Sequence, residues 1–249
     1  MIGLVVAGEA VYLLPFVVAR FFRPILLETF GLTNTELGTA MAVYGIVAMV
    51  SYFPGGPLAD RFSARKLLAL SLWTTAAGGM VMAPLPGFRL SVWVWGFFGV
   101  TTILLFWAAL IRATRDWGGA ESQGRAFGLL DAGRGVLAAA MASLGAALFA
   151  WSFPEGYQAA SFDERRQVMT TIIHGYTLAT FLAGVFVWFA IPENPPGRGK
   201  RWDPAEEPVF QHVGRALRLP AVWLTGLIVV CAYVAYKGFD NYGLYAVQV

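Results

Sequence analysis

The 249-residue chain is 57% hydrophobic and 13% charged, with a mean hydropathy of +0.61. Soluble domains average about 45–50% apolar and about 25% charged residues, so this composition excludes a water-soluble globule. The net charge of +3 does not indicate nucleic-acid binding, because the 18 Lys and Arg residues are scattered between apolar runs and form no basic stripe. The one cysteine, Cys231, excludes an intramolecular disulfide, and its place in an apolar run predicts a small buried hydrophobe rather than a reactive thiol.

Seven apolar stretches are each long enough to cross a bilayer, whose hydrocarbon core of about 30 Å needs about 20 apolar residues per helix. The runs are long and lack the period-2 alternation of membrane strands, so they predict an all-α polytopic membrane protein with about seven transmembrane helices. The first run has no basic leader and no cleavage pattern, which favours a retained helix. The stretches cover residues 2–27, 36–58, 67–85, 90–112, 123–150, 168–191 and 219–247.

Local sequence motifs predict where the second helix begins and where a linker separates two groups of helices. Thr33 and Glu36 have the spacing of a capping box, which predicts that the second helix begins at about Asn34. A cluster of prolines and glycines follows the sixth span and predicts a cytoplasmic linker over residues 192–218. The predicted domains are therefore a six-helix bundle (1–191), the linker, and a seventh helix (219–249) that begins a truncated second bundle. Residues 209–219 fit either a short helix in the headgroup plane or a solvated loop.

Basic residues set the predicted topology. The loops after spans two, four and six carry most of the Lys and Arg residues, and such loops usually face the cytoplasm. We therefore predict a multi-pass protein of the plasma (inner) membrane with a cytoplasmic N-terminus.

A charged turn follows the second span. Asp60 in this turn can cap the next helix or pair with a nearby arginine, for which Arg112 at the cytoplasmic end of span four is best placed. Such an ion pair between helices would be a contact that can break and reform during a conformational change. A purely topogenic basic loop would explain Arg61, Arg65 and Lys66, but not Asp60 or the glycines.

The same turn resembles the signature G-x-L-A-D-R-x-G-R-[KR] of the major facilitator superfamily. Ser63 and Ala64 stand where the signature has Gly and Arg. The resemblance implies six helices, a long cytoplasmic linker and six more helices, with spans one, four and seven lining a central cavity. The signature is matched by Gly56, Leu58, Ala59, Asp60, Arg61 and Arg65, and we assign a cytoplasmic gate to Gly56, Asp60, Arg61, Arg65 and Arg112.

Five residues stand out among the ionisable residues of the predicted spans. They are Glu9, Asp131, Arg134, Lys237 and Asp240, and each charge at the centre of a helix costs about 2.5–3.5 kcal/mol on insertion scales. These side chains should therefore face water or one another. Asp131 and Arg134 are three residues apart, and so are Lys237 and Asp240. Each pair can therefore neutralise itself on one helix face without any role in transport. Alternatively, all five line the path of a polar solute.

Two of these segments resemble motifs of the organophosphate:phosphate antiporter group. Residues 127–134 are similar to its fifth-helix W-N-x-A-H stretch, with Asp131 at the Asn and Arg134 at the His. Residues 236–240 are similar to its seventh-helix R-Y-G-x-x-D stretch, with the base shifted by one. The resemblance implies binding of an anion.

Glu9 has two interpretations. It lies about 10–12 Å along the first helix, from where its side chain can reach the cytoplasmic interface. Alternatively, it is a carboxylate that couples transport to protons.

Other functional classes fit poorly. A retinal Schiff base at Lys237 lacks an acidic counter-ion in residues 67–85, and the two histidines form no metal motif. We therefore predict no catalytic residue, no metal and no cofactor.

Without a phosphate-binding loop for ATP, the predicted function is secondary active transport, as an antiporter or symporter, of a small polar and anionic organic solute by alternating access. The alternative is a half-transporter that acts as a membrane scaffold. The expected partners are the solute, a coupling ion (a proton), the lipid bilayer, and a second copy or the missing C-terminal bundle, with no nucleic acid.

Overall fold

The structure, a computed structural model, describes residues 1–153, 155–156, 159–193 and 217–248, with side chains as far as residue 235 in the last segment. The chain divides into two compact units, Met1–Gly199 and Lys200–Val249. Most of the predicted linker, including nearly all of the predicted headgroup-plane helix, lies outside the described residues.

All regular elements of the described residues are helical, which confirms the predicted all-α class. Two π-helical stretches interrupt the α-helices, one at Leu13–Val17 and one at Val100–Trp107. The α-helices are α1 (Ile2–Ala10), α2 (Val18–Phe21), α3 (Arg23–Phe30), α4 (Asn34–Arg61), α5 (Ala64–Met82), α6 (Phe88–Gly99), α7 (Ala108–Gly118), α8 (Gln123–Ser152), α9 (Phe162–Ala190) and α10 (Pro220–Gln248).

Four helices of the described segments are long and apolar enough to cross a membrane. They are α4, the continuous rod Phe88–Gly118 formed by α6, the second π-helical stretch and α7, and then α8 and α9. A fifth span results if the bent pair Ile2–Ala10 and Leu13–Phe21 is taken as one. α5 coincides with the third predicted span, but Arg65 and Lys66 in its first turn lower its mean hydropathy. The total of seven spans stays a prediction.

The first predicted span is not continuous. The structure bends it by 43° between α1 and the segment from Leu13, and breaks it again at Phe22 before α3. Pro15 has no backbone N–H, and the Val17 N–H donates five residues back to the Tyr12 carbonyl (3.2 Å), the pattern of a π-turn. The expectation of one helix over residues 2–27 was wrong because an apolar run does not reveal such a break.

The predicted capping box at the start of α4 is confirmed. The Glu36 N–H donates to Thr33 Oγ1 (3.2 Å), and the Thr33 N–H donates to Glu36 Oε2 (2.8 Å). A second box was not predicted: Ser161 and Glu164 make the same pair of bonds at the start of α9. α9 therefore begins at Phe162, six residues before the expected span.

The first unit is built around the bent first helix. α1 packs against α8 and α9, α5 packs against α9, and α4 packs against α6 and the second π-helical stretch. Its core includes the fully buried rings of Trp95, Phe98 and Phe106. α5 can approach α9 and the first helix closely because residue 79 is glycine. A Cβ at this position would meet Thr177 Oγ1 of α9 and lie 2.6 Å from Leu14 Cδ1.

The second unit contributes α10 to the described residues. Its bounds, Pro220–Gln248, coincide closely with the seventh predicted stretch, 219–247. Cys231 is exposed within this unit, although the apolar run around it suggested a buried position.

Candidate functional site

Arg134 on α8 contacts the backbone of α1 at the bend of the first helix. The Tyr12 N–H donates to Glu9 O (2.9 Å), three residues back, instead of to Gly8 O as in a regular α-helix. The Gly8 carbonyl is thereby available, and Arg134 Nε donates to it at 3.0 Å. A Cβ at position 8 would lie 2.8 Å from Arg134 Cδ, so glycine gives the arginine stem room against α1.

Two carboxylates flank this guanidinium. Arg134 Nη1 lies 3.4 Å from Asp131 Oδ1, one turn earlier on α8, and Arg134 Nε lies 4.0 Å from Glu9 Oε2 on α1. The Asp131 side chain is 70% exposed, whereas those of Arg134 and Glu9 are 20% and 10% exposed. Arg134 therefore joins two helices and does more than form the predicted i,i+3 pair.

Glu9 packs inside the first unit. Its side chain is buried where α1 meets α8 and α9, and it faces the Arg134 guanidinium. The interpretation that Glu9 extends to the cytoplasmic interface stays a prediction. The alternative role in proton coupling stays a prediction.

Two aromatic rings complete the surroundings of Arg134. Its Cζ lies 5.7 Å from the centroid of the Tyr12 ring and 5.8 Å from that of Trp107, within the range of cation–π contacts. The two rings meet edge to face with centroids 6.4 Å apart. Sequence reasoning missed both residues, because an aromatic in an apolar run gives no sign that it will meet a distant arginine.

Buried hydroxyls fix the π-helical stretch that ends at Trp107. Ser71 Oγ donates to Thr101 O (2.7 Å), and Thr75 Oγ1 donates to Thr101 Oγ1 (2.8 Å). On the other side, the hydroxyls of Tyr44 and Thr102 are 2.8 Å apart. These bonds join the start of the stretch to α4 and α5.

The end of the first unit that carries the signature turn is called the motif end. Glu193, three residues after the end of α9, joins two helices there. Glu193 accepts hydrogen bonds from Arg65 Nη2 and Lys66 Nζ, each at 2.5 Å. The Arg65 Cζ also lies 4.9 Å from the centroid of a Trp188 ring. The N-terminus of α5 is thus joined to the C-terminus of α9. Opposite charges in loops that share one end of the bundle were the available signal for this contact.

The predicted pairing of Asp60 with Arg112 does not occur. Within the described part of the chain, Arg112 Nη1 donates to the Ala59 carbonyl, and Arg112 Nε lies 4.0 Å from Asp116 Oδ2 one turn further along α7. Asp60 is exposed on the last turn of α4, which extends to Arg61. Asp60 does not cap α5 either, since Ser63 Oγ accepts from the Lys66 N–H at 3.4 Å.

The other predicted gate residues lie in the same region of the motif end. Gly56 belongs to α4, and Arg61 is its last residue. Gly56 is partly buried, whereas Arg61 is exposed. The gate assignment of all five residues stays a prediction.

Titration of Glu193 provides a test of the motif-end contact. The hydrogen bond from Lys66, aided by the charge of Arg65, lowers the pKa of Glu193. Because the folded pKa lies below the unfolded one, the stabilisation is present above the usual carboxyl pKa of about 4.3 and is lost as pH falls through the lower folded value.

We expect Glu193→Gln to lower the thermal unfolding temperature at pH 7, and we expect its difference from the parent protein to be smaller at pH 3. Thermal unfolding followed by intrinsic fluorescence at both pH values measures this difference. Glu121→Gln, which removes an exposed carboxylate, serves as the control and should have no effect. An equal loss for Glu193→Gln at both pH values would contradict an ionic contact.

Two predicted site residues, Lys237 and Asp240, lie on α10, and their side chains are outside the described residues. Their place in the solute path stays a prediction. Among the residues that are described, no group of three or more His, Cys, Asp or Glu side chains is arranged to hold a metal ion.

The fold and its buried charges define a multi-pass α-helical membrane protein. The chain also matches the model of the Major Facilitator Superfamily over residues 5–247. It therefore belongs to the major facilitator superfamily, a family of membrane transporters, as the signature turn predicted.

Curated relatives include two proteins of Escherichia coli (strain K12). The chain is 29% identical to inner membrane protein YihN over 240 residues, which cover 94% of the chain and 53% of YihN. It is 27% identical to inner membrane protein YqcE over 206 residues, or 83% of the chain and 46% of YqcE. The chain thus spans about half the length of these relatives. No solved structure matches it.

Proposed function

We propose that this chain supplies the N-terminal bundle of a secondary carrier that moves a small, polar, anionic organic solute by alternating access. The observation that carries the proposal is Arg134, a partly exposed guanidinium held by the Gly8 carbonyl and placed beside two aromatic rings. An arginine can bind the oxygens of a carboxylate or phosphate through two parallel hydrogen bonds. Lys237 of α10 is proposed as a second cation on the same path.

The charges around Arg134 also support coupling to a proton. With Glu9 and Asp131 ionised, the cluster carries one net negative charge, which opposes binding of an anion. A proton on Glu9 would remove that charge and reduce the competition for Arg134. We therefore propose that the anion and a proton bind together, with Glu9 as the proton carrier and with Asp131 and Asp240 bordering the path.

We propose the motif end as the cytoplasmic gate, and we propose a cytoplasmic N-terminus in an inner membrane. The bonds from Arg65 and Lys66 to Glu193, and from Arg112 to Ala59, join helices at this end. These contacts lie within the first unit, so we propose that they hold the gate side of the N-terminal bundle together while the two bundles rock. A scaffold role without transport has no observation in its favour among the described residues.

Uptake into proteoliposomes that contain the complete carrier tests the proposal. With labelled glycerol 3-phosphate as the probe and the membrane potential held at zero, an inward proton gradient should drive accumulation of about tenfold per pH unit for each proton that binds with the anion. Labelled glycerol, which lacks the charge, should only equilibrate. Accumulation that is independent of the proton gradient would contradict the proposed coupling, and uptake no faster than in empty liposomes would contradict transport of this class of anion.

A further inference from the structure

A cleft opens on the side of the first unit where α8 and α9 diverge above α1. It has a volume of about 300 Å³, comparable to the smaller ligand sites of proteins. Its walls are apolar except for one carboxylate, that of Glu9. The larger lining residues are Leu13, Leu137, Met141, Leu182 and Phe186. We call it the Glu9 cleft.

The rim of the Glu9 cleft is apolar and exposed. Leu182 and Phe186 of α9 are 53% and 43% exposed, and Leu178, one turn before Leu182, is 58% exposed. A continuous exposed apolar face of this kind is compatible with contact to the hydrocarbon of the bilayer. A molecule dissolved in the bilayer can therefore enter the cleft between α8 and α9.

The carboxylate in this cleft accepts no hydrogen bond from the described residues. Arg134 Nε is 4.0 Å away, beyond hydrogen-bond distance, and its N–H already donates to the Gly8 carbonyl. The Glu9 side chain is nonetheless 10% exposed. A buried carboxylate without hydrogen bonds is costly, and a donor with positive charge would relieve that cost.

We propose that the Glu9 cleft binds an amphiphile with an alkyl chain and an ammonium headgroup. The chain would occupy the apolar walls, and the ammonium group would donate to Glu9 and pair with it. Charge complementarity favours this occupant over a neutral lipid chain, which would leave the carboxylate without a donor. The inference goes beyond the proposed transport, because it concerns a ligand that arrives from the bilayer and does not require Arg134 to bind an anion.

Photolabelling of the complete carrier in lipid nanodiscs tests the cleft. The probe is octylamine with a diazirine on its chain, and the matched probe is the corresponding octanol. We expect the amine to label cleft residues of α8 and α9 about fivefold more than the alcohol, as mass spectrometry of the peptides would measure. Glu9→Gln should reduce amine labelling of those residues to the level of the alcohol, and Glu9→Asp should retain most of it.

Glu28→Gln is the matched control, because it removes a carboxylate of α3 that pairs with Arg165 at 3.1 Å, away from the cleft. Its labelling pattern should equal that of the parent protein. Unfolding temperatures of all variants establish that they are folded. Equal labelling by amine and alcohol would overturn the proposal in favour of a simple lipid site, and so would amine labelling that survives Glu9→Gln.

Discussion

Replacing Arg134 by Gln should abolish anion uptake while leaving the bundle inserted in the membrane. The substitution removes the charge that the proposed solute needs, and loss of one partner from a buried charge pair costs about 2–5 kcal/mol. The rate at low solute concentration should therefore fall by about 30-fold or more. Initial uptake of labelled glycerol 3-phosphate into proteoliposomes, at matched protein content, measures the effect.

Two variants make this result specific. Arg134→Lys retains the charge but loses the planar guanidinium, and it should keep part of the activity. Arg166→Gln neutralises an exposed arginine that donates to Pro84 O at 3.4 Å, and it should transport normally. Uptake by Arg134→Gln at the rate of the parent protein would reduce Arg134 to a structural link between α8 and α1.

Substituting Gly79 by Ala should destabilise the first unit. The added Cβ would meet Thr177 Oγ1 and lie 2.6 Å from Leu14 Cδ1, so α5 would have to move away from α9 and from the first helix. Overpacking of this kind costs about 1–3 kcal/mol. Thermal unfolding in detergent should show the loss as a lower midpoint.

Gly45→Ala is the control, because nothing lies within 4 Å of the position that its Cβ would take on α4. Alanine is the better helix former by about 0.8–1.0 kcal/mol, so this variant should equal or exceed the parent protein in stability. A similar loss for both variants would show that the close approach of α5 and α9 is not the cause.

Sequence reasoning predicted the helices better than it predicted their contacts. The limits of α4, α8 and α10 follow from the lengths of apolar runs, and the capping box fixed the start of α4, because these signals are local. The bend of the first helix escaped prediction, since Pro15 is compatible with both a kinked and a broken helix in a membrane.

The site was predicted in its charges but not in its geometry. Glu9, Asp131 and Arg134 attract notice because charges are rare in transmembrane segments. That Arg134 would donate to the Gly8 carbonyl depends on how α8 packs against α1, and no spacing within one helix encodes this. Glu193 was missed for a similar reason, since it stabilises the motif end across 128 positions of sequence.

The arginine bond to the main chain of α1 also constrains how this bundle can move. Because Arg134 donates to the backbone oxygen of Gly8, this bond between α8 and α1 uses no side chain of α1. We therefore expect α1 and α8 to move together in the proposed transport cycle, with conformational change at surfaces that lack such a bond.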